Sequence, residues 1–413
     1  MSKRVVVTGM GTVNPVGNSV HEYWDGLIAG KSGIDTLTHF TDEKIPSQIA
    51  GEVTGVDFSE YVDRKEVKKT DRYILLAMAA AQEALQDSKL LESAPDMERV
   101  GTIIGSGIGG IDTLETNHSN LLNKGARRVS PFLIPMMIAD MASGFVSMKY
   151  GLKGPNYCVV SACASSSHSI GDGFMALRAG MMDACLVGGA EAAISRLSYA
   201  GFASMKALST RNESPQKASS PFDRKRDGFV MGEGSGVLVI ETLEHALQRG
   251  APIYAELTGY GATGDAHHLS SPAPNGEGAV RSMNMALRTA ECAPEDIDYI
   301  NAHGTSTPMN DKNETAAIKT TFGDHAYDLS VSSTKSMTGH LLGASGAIEL
   351  IASIQAIREG IIPPTINYED PDEGLDLDYT PNTANKRTVR RVMSNSFGFG
   401  GHNASLIVEA FRE

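Results

Sequence analysis

Short runs of β-branched residues alternate with longer segments of helical period along the whole chain, and this alternation restricts it to the α/β class. Strands are expected over Arg4–Thr8, Val100–Ile104, Cys185–Gly188, Val237–Glu241, Ala255–Gly259, Tyr299–Ala302, Leu329–Ser332 and Ala404–Val408. Helices are expected over Tyr73–Ser88, Ser167–Ala179, Gly278–Glu291 and His340–Glu359. In the last, Leu341, Ala344, Ile348, Ile351 and Ile354 recur at helical spacing, and Gly360 before Pro363-Pro364 supplies the stop.

One unit occurs twice within this alternation. Ala84-Leu85, then Ala94-Pro95-Asp96, then the run from Arg99 to Gly107 reads helix, loop, strand and small-residue turn. Ala286-Leu287, Ala293-Pro294-Glu295 and the run from Asp298 to Thr305 read the same way. A second pairing sets the turn at Cys163 beside the one at Lys335–His340. The reading is two related halves, 1–250 and 251–413, joined near residues 245–255; two unrelated αβ units that look alike are the alternative.

Composition removes several classes. A net charge of −13 opposes a general nucleic-acid or anionic-membrane binder. No apolar run approaches the roughly 18–20 residues needed to span a bilayer, and the start lacks the long apolar core of a signal peptide. A cytoplasmic protein without nucleic-acid or membrane partners is expected. Cys158, Cys163, Cys185 and Cys292 show no CxxC spacing, which fits free thiols in a reducing compartment.

The chemistry-bearing residues gather at strand ends, where ligands collect in open α/β sheets. Val159-Val160-Ser161-Ala162-Cys163 runs from an apolar strand into a helix start crowded with small residues. There the free N–H groups and the macrodipole favour a thiolate and could hold an oxyanion. A buried structural cysteine is the competing reading. Two further turns carry histidine, Asn301-Ala302-His303-Gly304-Thr305 and Lys335-Ser336-Met337-Thr338-Gly339-His340. One histidine could serve as base to the thiol in a hydrolase triad, or both could donate hydrogen bonds to an enolate while the thiol carries an acyl group. A metal fits poorly: HExxH is absent, and adjacent His267-His268 cannot easily share an ion. Gly105-Ser106-Gly107-Ile108-Gly109-Gly110 fits the dinucleotide fingerprint, but the acidic residue wanted about 20 positions on is replaced by Lys124-Gly125-Ala126-Arg127-Arg128. Glycines for close backbone approach explain that loop better.

Together, Ser161-Ala162-Cys163-Ala164, Asn301 to Pro308, Ser333 to His340 and Asn395 to Gly401 resemble the ordered motifs of the β-ketoacyl synthases, over essentially the whole chain. Their order and spacing are most similar to the elongating bacterial condensing enzymes, the synthase II type. The resemblance implies a thiolase fold, five layers α-β-α-β-α built from two pseudo-symmetric halves, in a homodimer. It implies an acyltransferase of fatty-acid biosynthesis that elongates a Cys163-bound acyl chain with malonyl-carrier protein. By the same resemblance, His303 and His340 stabilise the enolate, and Lys335, paired with Glu349, supports them. Backbone N–H groups of Cys163 and Phe399 form the oxyanion hole. The Phe399 side chain gates the acyl pocket, Thr305 and Thr307 hold the pantetheine arm, and Ile108 limits chain length. Lys65, Lys68, Lys69, Arg127, Arg128 and Lys206 match the docking patch for an acidic acyl carrier protein. No cofactor is required beyond the phosphopantetheine that arrives on the carrier, and Asn301, Glu349, Ser394 and Asn395 match a site for Na+ or K+. Two departures, Ala164-Ser165-Ser166-Ser167 and His402, border the acyl pocket. Rival readings are a ketosynthase of a specialised pathway, a non-catalytic partner subunit, which should lack the cysteine, and a nicotinamide oxidoreductase.

Overall fold

A computed structural model describes residues 3–412; Met1, Ser2 and Glu413, at the ends of the two expected halves, lie outside the described residues. Among these, ten strands form one sheet. The first five are β1 (Val5–Val13), β2 (Val100–Gly105), β3 (Asn156–Tyr157), β4 (Ala184–Glu191) and β5 (Gly234–Thr242). The second five are β6 (Ala255–Gly264), β7 (Tyr299–Asn301), β8 (Ser330–Ser332), β9 (Arg391–Gly398) and β10 (His402–Glu409). Their spatial order is 8-7-9-10-6-1-5-4-2-3, so each set of five repeats one topology outward from the β1–β6 seam. Pairing senses repeat too: β5 is antiparallel to β1 and β4, and β4 is parallel to β2, just as β10 is antiparallel to β6 and β9, and β9 is parallel to β7. Only Val5–Val7 and Ala255–Leu257 join the two arrays.

Five helices complete the layers: α1 (Arg72–Ser88), α2 (Ser165–Arg178), α3 (Glu277–Ala290), α4 (Pro308–Phe322) and α5 (Ser345–Glu359). Helix α1 covers β1 and β5, and α3 covers β6 and β10 on the opposite outer face. Helices α2 and α5 pack on each other and on strands of both arrays, forming the middle layer. Its apolar core takes Ile170 and Phe174 from α2, Ile351 and Ile354 from α5, and Ile240 and Leu406 from the two arrays. A small-residue device brings the outer helices close. A Cβ on Gly9 or Gly11 would lie 2.3 or 2.1 Å from carbonyls of α1, and one on Gly259 or Gly261 2.7 or 2.0 Å from carbonyls of α3. The same glycine pair therefore serves both halves.

Two expectations shift. The helix read from His340 begins at Ser345, because His340 is held extended by its N–H bond to the Val230 carbonyl (2.7 Å), and a 3-10 turn over Leu342–Ala344 intervenes. The glycine loop read from Asn395 is strand β9 as far as Gly398, and only the residues between β9 and β10 turn. Among the described residues no helix is long and apolar enough to cross a membrane.

Candidate active site

Cys163 occupies a 3-10 turn, Ala162–Ala164, directly before α2. Ala162 takes φ +51°, a left-handed conformation costly for an L-residue. The turn is locked by Ser165 Oγ, which accepts from the Ser161 N–H (2.9 Å) and donates to the Ala162 carbonyl (2.7 Å). The serines that set this segment apart are all buried: Ser166 Oγ accepts from the Ala347 N–H (3.1 Å), and Ser167 Oγ bonds Ser396 Oγ (2.8 Å). They bind the start of α2 to the second half.

His303 follows β7, and His340 follows a short helix, Lys335–Thr338. Cys163 Sγ and one ring nitrogen of each histidine lie within 4.8 Å of one another, and all three residues are buried. The imidazoles stand nearly perpendicular (85°) with centroids 5.3 Å apart. His340 Nδ1 bonds Ser345 Oγ (2.9 Å), leaving His340 Nε2 and His303 Nδ1 buried without partners. Burial, followed by the charge of Lys335, holds both histidines well below the usual range, so both are neutral near pH 7. Each then offers one N–H donor and one acceptor. The same positive charge opposes a cation among these three residues.

Lys335 Nζ donates to Glu349 Oε1 at 2.5 Å, with both side chains 1% exposed. Glu314 on α4 accepts from the backbone N–H of His303 (2.8 Å) and Gly304 (2.7 Å), which fixes the histidine turn. Burial lifts the Glu314 carboxyl to about 7.

One expectation reverses. Burial pushes the Cys163 thiol up to about 12, outweighing Lys335 and hydrogen bonds from the Phe399 and Cys163 N–H groups, while Glu191 adds to the rise. The resting group is a thiol, because desolvation of the anion exceeds the help from the helix start.

A cleft of about 540 Å³ opens from these residues. Ile108, Thr305, Thr307, Phe399 and Lys206 all line it, and Thr305 Oγ1 and Thr307 Oγ1 lie 2.9 Å apart. At its mouth Asp265 accepts from Asn403 Nδ2 (2.6 Å), and the Gly400 N–H bonds the Leu269 carbonyl (2.8 Å), clasping the loop before β10. The other basic residues read from the sequence, Lys65, Lys68, Lys69, Arg127 and Arg128, are exposed, with Lys69 over the Phe132 ring.

The glycine-rich loop is already filled. Glu191 at the end of β4 accepts from Gly107 N–H (2.7 Å), Ile108 N–H (3.2 Å) and Ser106 Oγ (3.0 Å), where a dinucleotide phosphate would sit. Gly105 and Gly110 are close-approach glycines, their Cβ positions 2.7 and 2.3 Å from the carbonyls of Ser165 and Met136.

Near the Lys335–Glu349 pair, Asn301 Oδ1, Glu349 Oε2 and Ser394 Oγ are buried without a partner. Asn301 and Ser394 are register partners on β7 and β9, and Asn301 Nδ2 donates to the Glu349 carbonyl (3.4 Å). Bare oxygens on three of the four residues read from the sequence fit a monovalent cation. The Asn395 side chain is engaged elsewhere, accepting from Ser405 Oγ (2.8 Å).

Sequence reading missed Glu191, Glu314 and Ser345. Only the acidic residue after Gly188-Gly189 at a strand end offered any signal.

This topology and site define a condensing enzyme of the thiolase fold. Residues 2–246 match the family model "Beta-ketoacyl synthase, N-terminal domain" and residues 254–369 match "Beta-ketoacyl synthase, C-terminal domain". A 3-oxoacyl-[acyl-carrier-protein] synthase 2 of Synechocystis is 52% identical over 99% of both chains, and that of Coxiella burnetii is 52% identical over 98% of both. Among solved structures, a type II polyketide ketosynthase complexed with its acyl-carrier protein superposes with a TM-score of 0.93 at 35% identity, covering 100% of both chains. A β-ketoacyl synthase from Burkholderia phymatum gives 0.91 at 34% identity, covering 99% of this chain and 100% of that one. The chain belongs to the β-ketoacyl synthase family.

Proposed function

We propose that the protein is an elongating 3-oxoacyl-[acyl-carrier-protein] synthase of fatty-acid biosynthesis, with residues 1–250 and 251–413 as its two catalytic halves. The observation that carries this is the convergence of a thiol with two neutral buried imidazoles at the base of an apolar-walled cleft.

The Cys163 sulfur attacks the carrier-bound thioester, its proton passes to the departing pantetheine thiolate, and an acyl–Cys163 thioester results. Malonyl-carrier protein then enters. Its C–C bond breaks, carbon dioxide leaves, and the electron pair moves to an enolate oxygen held by N–H groups of His303 and His340. The enolate carbon bonds the acyl carbonyl, whose oxyanion rests on the Cys163 and Phe399 N–H groups. Cys163 leaves as thiolate and is reprotonated. A high thiol pKa suits this sequence, since attack is coupled to proton loss and a neutral resting site tolerates the incoming malonate charge.

Thr305 and Thr307 hold the pantetheine arm, and Phe399 gates the pocket that Ile108 bounds. The acidic acyl carrier protein docks on Lys65, Lys68, Lys69, Arg127, Arg128 and Lys206, all exposed and one lining the cleft. The protein is a homodimer: edge strand β3 and its flanks expose Tyr157 (40%), Val160 (59%) and Met148 (67%), an apolar edge of the kind a second copy covers. Na+ or K+ occupies the Asn301–Glu349–Ser394 oxygens as a structural ion.

The test is condensation of a carrier-bound saturated acyl series with malonyl-carrier protein, native against Cys163→Ser. Product from the native chain alone supports the reading. Decarboxylation of malonyl-carrier protein without elongation of any chain would refute the assignment to fatty-acid synthesis.

A further inference from the structure

Glu191 is fully buried, and among the described residues its hydrogen-bond partners are one hydroxyl and three backbone N–H groups, with no cationic side chain. Its carboxylate accepts from four donors: Ser106 Oγ and the N–H groups of Gly107, Ile108 and Gly343, at 2.7–3.2 Å. Three of the four are backbone N–H groups, which can only donate, so the shell is built around acceptor oxygens on this carboxyl. Three loops meet on this one group. Gly107 and Ile108 belong to the glycine-rich loop, whose Ile108 and Gly107 line the cleft. Gly343 lies three positions after His340, and Glu191 itself ends β4. The loops touch: a Cβ on Gly343 would lie 2.2 Å from Gly107 N and 2.7 Å from Glu191 Oε2, and one on Gly107 2.8 Å from the same oxygen. The Ala162 carbonyl is 3.2 Å from that Gly107 position, so the nucleophile turn borders the junction as well.

We propose that Glu191 is a specificity-determining positioning residue, which fixes the Ile108 turn, and with it the depth of the acyl pocket, against the turn that carries His340. Nothing in the condensation steps above uses this carboxylate. It touches no reacting atom and acts through the backbone of Ile108. This rests on the proposed function for its substrate, but not for its geometry. Shortening the side chain by one methylene withdraws the carboxylate from the N–H groups while keeping the charge. Replacing it with an amide keeps the length, removes the charge and turns two lone pairs into N–H groups that face donors.

The experiment compares the parent with Glu191→Asp and Glu191→Gln, each checked for native melting. Two quantities are read: the ratio of long- to medium-chain elongation, and alkylation of Cys163 by iodoacetamide at about pH 8. In Glu191→Asp the elongation ratio is expected to change about ten-fold, the low end of what a pocket gains or loses per methylene, while total turnover changes less. In Glu191→Gln the same change is expected, together with alkylation several-fold faster, because a negative charge near the sulfur is gone. A merely structural role would slow all chain lengths alike and leave their ratio unmoved. If Glu191→Gln does not fold, Glu191→Asp decides. An unchanged chain ratio in the folded variants overturns the proposal. If the parent elongates no chain, the functional reading falls instead, and Glu191 is judged on alkylation: equal rates in parent and Glu191→Gln would then overturn it.

Discussion

The turn at Cys163 and the turn at Gly343 are the same structure put to different uses. Both are 3-10 turns, Ala162–Ala164 and Leu342–Ala344, that open on a left-handed residue, at φ +51° and +47°, and run into a serine-started helix of the middle layer. In the first half the central residue faces the cleft and is a cysteine. In the second it faces a neighbouring backbone and can only be glycine. Further along each helix the contrast repeats: where α5 carries Glu349, paired with Lys335, the matching place on α2 carries Ser169, bonded to its own helix at the Ser165 carbonyl (2.9 Å). The repeated topology provides two equivalent sites, each at the start of a middle-layer helix. In the proposed reaction one is the acyl acceptor, and the other carries the buried ion pair whose charge acts on the two histidines.

The largest effect should come from breaking the pair that only the second half has. Glu349→Gln leaves the Lys335 charge buried without its counterion and is expected to destabilise by about 3–5 kcal/mol. Ser169→Ala, at the matching place, should cost about 1 kcal/mol or less. Urea unfolding of both variants checks the contrast, and equal losses would mean that the two helix starts are not differently loaded. Lys335→Met adds a pH test. Lys335 is the second cause, after burial, that keeps both imidazoles neutral. Since the proposed reaction needs neutral imidazoles and would fall as they take protons, removing that charge should move the acid limb of the rate profile to higher pH.

How much of this was legible in the sequence follows from how local each feature is. The three reactive side chains could be read because each stands in a run of small and polar residues, although the strand before Cys163 is only the exposed pair Asn156–Tyr157 and a short helix, Lys335–Thr338, comes before His340. The repeat of topology could be read from helix–loop–strand order. Glu191 could not, since its donors stand 83 to 152 residues away and leave no spacing. The start of α5 was misplaced because His340 and Leu341 fit the helical period while the backbone is held by Val230 from another segment. Strand β9 was hidden by Ser394, Asn395 and Ser396, polar residues in its buried middle. The thiol's protonation state was read the wrong way because it depends on burial, which no local motif displays.

A middle-sized effect should separate the two turns themselves. Gly343→Ala drives a methyl group against Gly107 N and Glu191, where backbone rather than a flexible side chain must yield. Overpacking of this kind costs about 1–3 kcal/mol. Cys163→Ala, at the equivalent position, should leave the unfolding midpoint close to the parent while abolishing acyl transfer, because its side chain abuts a cleft. If Gly343→Ala were as stable as the parent, the junction would be looser than these distances imply.

The smallest effect concerns Ala162, and its sign is the informative part. A left-handed alanine costs about 1–2 kcal/mol relative to its ordinary conformations, and glycine adopts the same φ without that cost. Ala162→Gly also adds freedom to the unfolded chain, worth roughly 0.5–1 kcal/mol in the other direction. The balance should be a gain of about 0.5 kcal/mol in urea unfolding. Condensation should nonetheless slow by a few fold, because a glycine at this left-handed position loosens the turn that presents Cys163. Greater stability with lower turnover would mark Ala162 as strain kept for alignment. A loss of stability would instead mean that this conformation is comfortable where it lies, and that the two turns resemble each other in shape but not in stored strain.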